Sequence, residues 1–368
     1  MSFARTLTLH HPRRLETGAG TIGLVGPWAG EASTLVVASP HTAGFVGGLA
    51  LKGKVTMFEG ITGEPDIAMF EAALQAARTA RPDVVVGLGG GAAMDVAKLI
   101  AAMWHGGQGV ADVVGPNRIA GRRSALAQVA TTAGTGSEAG IRALITDPAT
   151  GIKLAVESPH LLCDLAVLDP VLTFSVPPAI TAATGIDALA HCVETFTNRR
   201  AHPLIDGFAH MGIELVGRHL ACAVADGRDT AAREGMMLAS FYGGLCLGPV
   251  NTAAGHAVAY PLGTRLHLPH GLANAIVFPH VLAFNQSAAP EKTAEIAVAL
   301  GLDGESLLAS ALAYCTALGV EMRLGRHGAT PEMLPALAAE AHAIRRLMDN
   351  NPRDMTVADV AAIYEAAF

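Results

Sequence analysis

Apolar positions follow two regimes along the chain, and the change comes near Val176. Before it, short apolar runs alternate with segments of helical spacing. Leu35-Val36-Val37-Ala38 follows the polar Ser33-Thr34 and stops at Ser39-Pro40, the mark of a strand. Lys54-Val55-Thr56-Met57-Phe58 predicts a second strand and Asp83-Val84-Val85-Val86 a third. Residues 66–80 repeat apolar side chains at helical intervals behind Pro65, which suits a helix start, and 92–104 form another helical piece. Strands alternating with helices predict a mostly parallel sheet covered on both faces. From Val176-Pro177-Pro178 onward strand-like runs are rare and helical patterns dominate, as over 305–317, 331–347 and 357–368. The predicted organisation is an α/β domain over residues 1–176 followed by an all-helical domain over 177–368.

Composition narrows the classes. A chain of 368 residues with 51% hydrophobic and 15% charged positions has apolar material for two cores and is not a disordered chain. The net charge of -7 comes without a basic run, which argues against nucleic acid as a partner. Five cysteines with no C-x-x-C pair suggest neither a thiolate zinc knuckle nor a disulfide framework, and fit a reducing cytoplasm. Met1-Ser2-Phe3-Ala4-Arg5 lacks the apolar region of a secretory signal. Residues 235–264 contain no Asp, Glu, Lys or Arg, yet Gly243-Gly244, Gly248-Pro249, Asn251 and His256 interrupt them. That passage is expected to be two buried helical pieces rather than a membrane span.

Chemistry concentrates in four places. Gly87-Leu88-Gly89-Gly90-Gly91-Ala92 sits between the third strand and a helix, where glycines let a diphosphate approach the backbone and the helix N-terminus. The same residues also suit an ordinary tight turn. Thr131-Thr132-Ala133-Gly134-Thr135-Gly136-Ser137 follows a strand-like Ala127-Gln128-Val129 and offers hydroxyls among small side chains, for a ligand or for capping. On the helix expected after Pro178, Asp187 and His191 stand four residues apart on one face. They are half of a metal site, an ion pair or an acid/base couple. Finally His256, His267, His270 and His280 fall in or just beyond the uncharged passage, where desolvation disfavours them unless something coordinates or hydrogen-bonds them. An oxygen and imidazole set without thiolate suits Fe(II), Zn(II), Co(II) or Mn(II), in a closed structural site or an open catalytic one.

Together these motifs resemble the iron-containing (group III) alcohol dehydrogenases, a family related to maleylacetate reductases and glycerol dehydrogenases. The resemblance spans nearly the full length. It rests on Gly89-Gly90-Gly91 with Asp95 and Lys98, on residues 131–138, on Gly185-Ile186-Asp187-Ala188 with His191 and Glu194, on His256 with His270-Gly271, and on Asn351-Pro352-Arg353 with Thr356 and Asp359. It implies an N-terminal dinucleotide-binding α/β domain, an all-helical C-terminal domain in a dehydroquinate synthase-like architecture, and an active site in the cleft between them. It implies that Asp187, His191, His256 and His270 bind one divalent metal, Fe2+ before Zn2+. It sets Gly89, Gly90 and Gly91 at the pyrophosphate of NAD or NADP with Asp95 in the same motif, Thr131, Thr132 and Thr135 near the nucleotide, and Lys153 close to the cofactor.

Two positions depart from the family pattern. Many members carry a second histidine four residues after the first of the later pair, a proton-relay residue, where this chain has Tyr260; Tyr260 or His267 is then the relay candidate. Members that prefer NAD carry an acidic residue after the first strand, where this chain has Ser39, so a 2′-phosphate is not repelled. Arg265 is either a surface charge or a holder of an anionic substrate group. The implied activity is a metal-dependent NAD(P) alcohol dehydrogenase or aldehyde or ketone reductase, cytoplasmic, acting on a small molecule as a homodimer or higher homo-oligomer. The alternatives are a maleylacetate reductase-like reduction of a keto acid, a lyase that uses NAD transiently, and a non-catalytic protein whose metal is structural.

Overall fold

The computed structural model describes residues 5–368. The first four residues, on which most of the secretory-signal reading falls, lie outside the described residues. The chain divides into two compact units, Leu9–Ser175 and Val176–Phe368, with residues 5–8 belonging to the second. There Arg5 donates to the carbonyl of Pro249 at 3.4 Å, whereas the sequence pattern had put the whole N-terminus with the α/β part.

The first unit is built on β1 (Leu15–Thr17), α1 (Val25–Ala29), β2 (Thr34–Ala38), β3 (Val55–Phe58), α2 (Ile67–Ala80), β4 (Val84–Gly89), α3 (Gly91–Met103), α4 (Val110–Val113), β5 (Gly115–Pro116), β6 (Ala125–Ala130), β7 (Arg142–Asp147), β8 (Ile152–Glu157) and β9 (Leu165–Leu168). Six strands form a wholly parallel sheet in the order β1-β9-β6-β4-β2-β3. Every residue of β2, β4 and β9 is buried, which is why these strands read as continuous apolar runs rather than alternating ones. Val36, Val86, Val129 and Val167 meet in the core of the sheet. Asp66 caps α2 by accepting from the amide of Met69.

Five strands, β1, β5, β7, β8 and β9, escape the hydrophobic pattern. β7 and β8 pair antiparallel about a turn in which Gly151 has φ 70°, and β5 joins them in a small separate sheet. Only two of the six residues of β7 and one of the six of β8 are buried, so neither carries a long apolar signature. The four-residue β9 is too short for its periodicity to distinguish strand from helix.

The second unit is helical: α5 (Pro178–Thr197), α6 (Pro203–Ala225), α7 (Thr230–Leu247), α8 (Ala254–Leu266), α9 (His270–Asn285), α10 (Pro290–Leu300), α11 (Leu307–Ala317), α12 (Leu334–Ala343), α13 (Arg345–Met348) and α14 (Val357–Ala366). α5 starts with Pro178 in its first turn, where the missing amide costs nothing. The uncharged passage resolves into most of α7 and α8, joined through Asn251 at φ 77°. Among the described residues no helix is long and apolar enough to cross a membrane. Small residues let α5, α6 and α7 pack closely. A Cβ on Gly185 would lie 2.3 Å from Leu220 Cδ1, and one on Gly212 would lie 2.4 Å from Cys192 Sγ. From α8 onward, the core gathers Val258, Ile276, Leu337, Leu347 and Tyr364.

Candidate metal centre and nucleotide cradle

The helices of the second unit bring Asp187 and His191 on α5, His256 on α8 and His270 at the start of α9 into one group. One ligand atom from each lies within 4.8 Å of all the others. His256 Nε2 and His270 Nε2 are each 3.6 Å from Asp187 Oδ1. The rings of His191 and His256 stack with centroids 4.6 Å apart, and those of His256 and His270 lie 5.4 Å apart. Glycines permit this convergence. A Cβ on Gly243 would come 3.1 Å from His191 Cβ, and one on Gly271 2.9 Å from the Ala183 carbonyl, so α7 and α9 approach α5 only without them.

A second layer fixes the first. Glu194, one turn beyond His191 on α5, is buried; its Oε1 is 2.7 Å from His256 Nδ1, and its Oε2 accepts from the amides of Ala253 at 2.5 Å and His256 at 3.4 Å. A carboxylate only accepts, so His256 donates through Nδ1, and Nε2 is the atom that faces Asp187 and would bind a metal once its proton is displaced. Gly255 leaves the space for this contact, since a Cβ there would meet Glu194 Oε1 at 2.5 Å. On α9 the Asn274 amide donates to Asp187 Oδ1 at 2.7 Å and lies 3.2 Å from His270 Nε2. In the sequence Glu194 is marked only as part of a motif, and Asn274 and Gly255 are not marked at all. The available signal is spacing, since Asn274 stands one helical turn after His270 on a helix whose only other polar side chains are His280 and Asn285.

The electrostatics favour a cation among these atoms. Burial opposes ionisation of Asp187, but the three surrounding histidines outweigh it and hold the carboxyl well below the usual range. Burial likewise opposes charge on His256, yet Glu194 and Asp187 push its pKa up to about 10. His256 Nε2 is nevertheless buried without a hydrogen-bond partner. A buried polar atom without a partner costs about 1–3 kcal/mol, and a divalent ion bound by Nε2 removes that cost. The donor set of one carboxylate and three imidazoles fits Fe(II) or Zn(II). Replacing Glu194 with Gln is expected to weaken Fe(II) affinity about 10- to 100-fold, measured by titrating metal-free protein. An unchanged affinity would remove Glu194 from this role.

Tyr260 is half-buried one turn beyond His256, its ring 5.9 Å from that of His270. His267 is exposed and ends α8 in the left-handed conformation with φ 56°, outside the four-residue group. His280 is buried, and burial lowers its pKa; it too stands outside the group. Arg265 is an exposed partner of Glu340.

In the first unit the glycines and threonines form one cradle. Gly90 caps the N-terminus of α3, and Thr131 donates its amide to the Gly89 carbonyl at 3.0 Å. A Cβ on Gly90 would lie 3.1 Å from Thr132 Oγ1, and one on Gly91 2.7 Å from Thr135 Cγ2, so the threonine loop rests on the glycine turn. A pocket of about 330 Å³ adjoins it, lined among others by Ser39, Thr62, Gly63, Gly89 and Gly90. Amides at a helix N-terminus facing a pocket suit a phosphate. Asp95 is committed elsewhere: Oδ1 accepts from Ser137 Oγ at 2.6 Å and Oδ2 from the Leu144 amide at 2.9 Å. It ties the threonine loop and β7 to α3. Lys153 on β8 pairs with Glu64 at 3.0 Å, next to pocket-lining Gly63.

Glu138 ends this loop inside the unit, where burial pushes its carboxyl up to about 7, against Lys98 nearby. A carboxyl raised above its unfolded value of 4.5 stays protonated in the folded chain after the unfolded one has ionised. Its contribution therefore lowers stability as pH rises from 4.5 to about 7 and is constant above that. Glu138→Gln should remove a cost of up to about 3 kcal/mol at pH 8 and almost none at pH 4. Thermal unfolding at the two pH values checks this, and an equal Tm shift at both contradicts it.

The comparisons with known proteins agree with this geometry. Residues 12–170 match the family profile described as iron-containing alcohol dehydrogenase, and residues 181–368 match that of the C-terminal part of the Fe-containing alcohol dehydrogenase family. The long-chain-alcohol dehydrogenase 1 of Geobacillus thermodenitrificans is 36% identical, over 85% of this chain and 82% of its own. A solved 1,3-propanediol oxidoreductase superposes with a TM-score of 0.94 at 30% identity, covering 99% of this chain and 100% of the other. A sulfoacetaldehyde reductase from Bifidobacterium kashiwanohense, solved in complex with NAD+, gives a TM-score of 0.90 at 27% identity over 99% of both. With a glycine and threonine cradle in one unit, an Asp-His-His-His group in the other, and profile matches over both, the chain belongs to the iron-containing alcohol dehydrogenase family.

Proposed function

We propose that this chain is an NAD(P)-dependent alcohol dehydrogenase or aldehyde reductase whose Asp187, His191, His256 and His270 hold one divalent iron. The observation that carries the reading is the buried His256 Nε2, left without a hydrogen-bond partner while Glu194 fixes the other side of the ring. When bound, the ion supplies Lewis acidity toward a carbonyl or alcohol oxygen, and the nicotinamide gives or takes a hydride. Asp187 supplies the negative charge that holds the cation, while Glu194 and Asn274 keep the His256 and His270 rings and the Asp187 carboxylate in position. Gly89, Gly90 and Gly91, with Thr131, Thr132 and Thr135, bind the pyrophosphate and the adjoining nucleotide. Asp95 and Lys153 act on the cofactor through the loops they brace. Tyr260, beside the most exposed of the four ligands, exchanges a proton with the substrate oxygen through its hydroxyl. His267, exposed at a helix end, has no part in this step. The protein is taken to be a cytoplasmic homo-oligomer, supported by its unpaired cysteines and its family.

The test is oxidation of NADH and of NADPH with a panel of aldehydes after Fe(II) or Zn(II) reconstitution. Net oxidation of the reduced cofactor supports a dehydrogenase, whereas a lyase using the nucleotide transiently gives none. With Ser39 at the end of β2, both cofactors should serve. Ser39→Asp should raise the KM for NADPH by at least about 10-fold, because the carboxylate repels a 2′-phosphate and accepts from a 2′-hydroxyl. An unchanged NADPH/NADH ratio would remove Ser39 from the ribose site.

A further inference from the structure

The four ligands differ in access. The side chains of Asp187 and His256 are 1% and 3% exposed and His191 is buried, while His270 reaches 18%. A substrate oxygen therefore approaches along the His270 edge. Tyr260 forms that edge, and Arg346 of α13 covers Tyr260 in turn. The guanidinium carbon lies 5.6 Å from the Tyr260 ring centroid, and Nη2 donates to the Tyr260 hydroxyl at 3.5 Å.

Arg346 is exposed and has no carboxylate partner among the described residues. Its basic neighbours are neutralised: Arg345 by Asp349, Arg265 by Glu340, Arg199 by Asp354. In a chain of net charge -7, an unmatched guanidinium one ring away from a metal ligand is not a product of general basicity. Stacking on Tyr260 limits its rotamers while most of its five N–H donors stay free, in the fork geometry that matches planar anions.

We propose that Arg346 is a specificity-determining residue that binds an anionic group on the substrate, so that the preferred substrates are short aldehydes or ketones, and their alcohols, bearing a carboxylate or sulfonate. The inference rests on the dehydrogenase reading above and deepens it. The carbonyl end meets the Asp-His-His-His group, and the anionic end meets the guanidinium across the edge of Tyr260. Held at both ends, the substrate presents one orientation of its carbonyl carbon.

Reduction of 4-oxobutanoate is compared with that of butanal, its neutral match in chain length, and sulfoacetaldehyde with propanal. The wild type should favour the anionic member of each pair by about 10- to 100-fold in kcat/KM, the range expected of charge-assisted hydrogen bonds. Arg346→Gln should collapse that ratio toward one, chiefly through a higher KM for the anion. Arg346→Lys should restore part of it, which loss of packing alone would not produce. Comparing ratios cancels any shared effect on Tyr260. Equal efficiency on charged and neutral members in the wild type, or a preference that survives in Arg346→Gln, overturns the proposal. Turnover of butanal together with either result leaves the dehydrogenase reading standing. No turnover of any of the four aldehydes with either cofactor overturns that reading, and this proposal with it.

Discussion

His256→Ala is expected to lower kcat by about 1,000-fold or more and to abolish tight binding of Fe(II). The substitution removes one of four ligands, and it also leaves Asp187 and Glu194 buried without the imidazole that lies 3.6 Å from one and 2.7 Å from the other. Breaking a buried charge pair by deleting one partner costs about 3–5 kcal/mol, so the variant should also melt earlier. His280→Ala is the control. His280 is a buried histidine of the neighbouring helix outside the four-residue group, so its loss should cost packing but leave metal stoichiometry intact. Metal content by elemental analysis, alongside Tm, separates the two variants. Equal metal content in both would contradict the ligand assignment.

Gly91→Val should weaken nucleotide binding by about 100-fold while metal uptake is unchanged. The first atom added at residue 91 would meet Thr135 Cγ2 at 2.7 Å and Oγ1 at 2.9 Å, and the threonine loop must retreat. A shift of about 1 Å in a group that positions a reacting molecule is enough for a loss of that size. Because Gly91 is in the first unit and the metal group in the second, the two losses are separable. The dissociation constant for NADH, followed by its fluorescence, should rise about 100-fold, with metal content as in the wild type. A variant that binds NADH normally would show that residue 91 is not at the pyrophosphate.

The parts of the fold that the sequence made legible are those where one physical pressure acts alone. β2 and β4 are buried on both faces, so their valines run without interruption between polar ends. α2 and α3 follow with helical spacing, α2 behind Pro65 and α3 behind the glycine run, and the structure caps them with Asp66 and Gly90. The hairpin β7–β8 was not legible, because it is mostly half-buried and includes charged residues that serve contacts rather than a core. Arg142, for example, reaches Glu157 across the pair.

At the metal group the same contrast holds. Asp187 and His191 announce themselves by a four-residue spacing on one helix, whereas His256 and His270 are tied to them only by the way α8 and α9 pack against α5. Family resemblance supplied that link before the geometry did. Asn274 and Gly255 were invisible because their importance lies in what they touch, a carboxylate and an imidazole in one case and an absent Cβ in the other. Asp95 shows the reverse. Its place in a glycine-rich motif marked it for the cofactor, and its hydrogen bonds go to Ser137 and Leu144.

The central claim is that one divalent ion held by Asp187, His191, His256 and His270 is required for cofactor-dependent reduction. Its most direct test is an anaerobic titration of metal-free protein with Fe(II), following NADH or NADPH oxidation in the presence of an aldehyde. Activity should rise linearly from near zero, stop at one equivalent per chain, and be absent throughout in His256→Ala. Full activity in the metal-free protein, or the same titration curve in His256→Ala, would contradict the account.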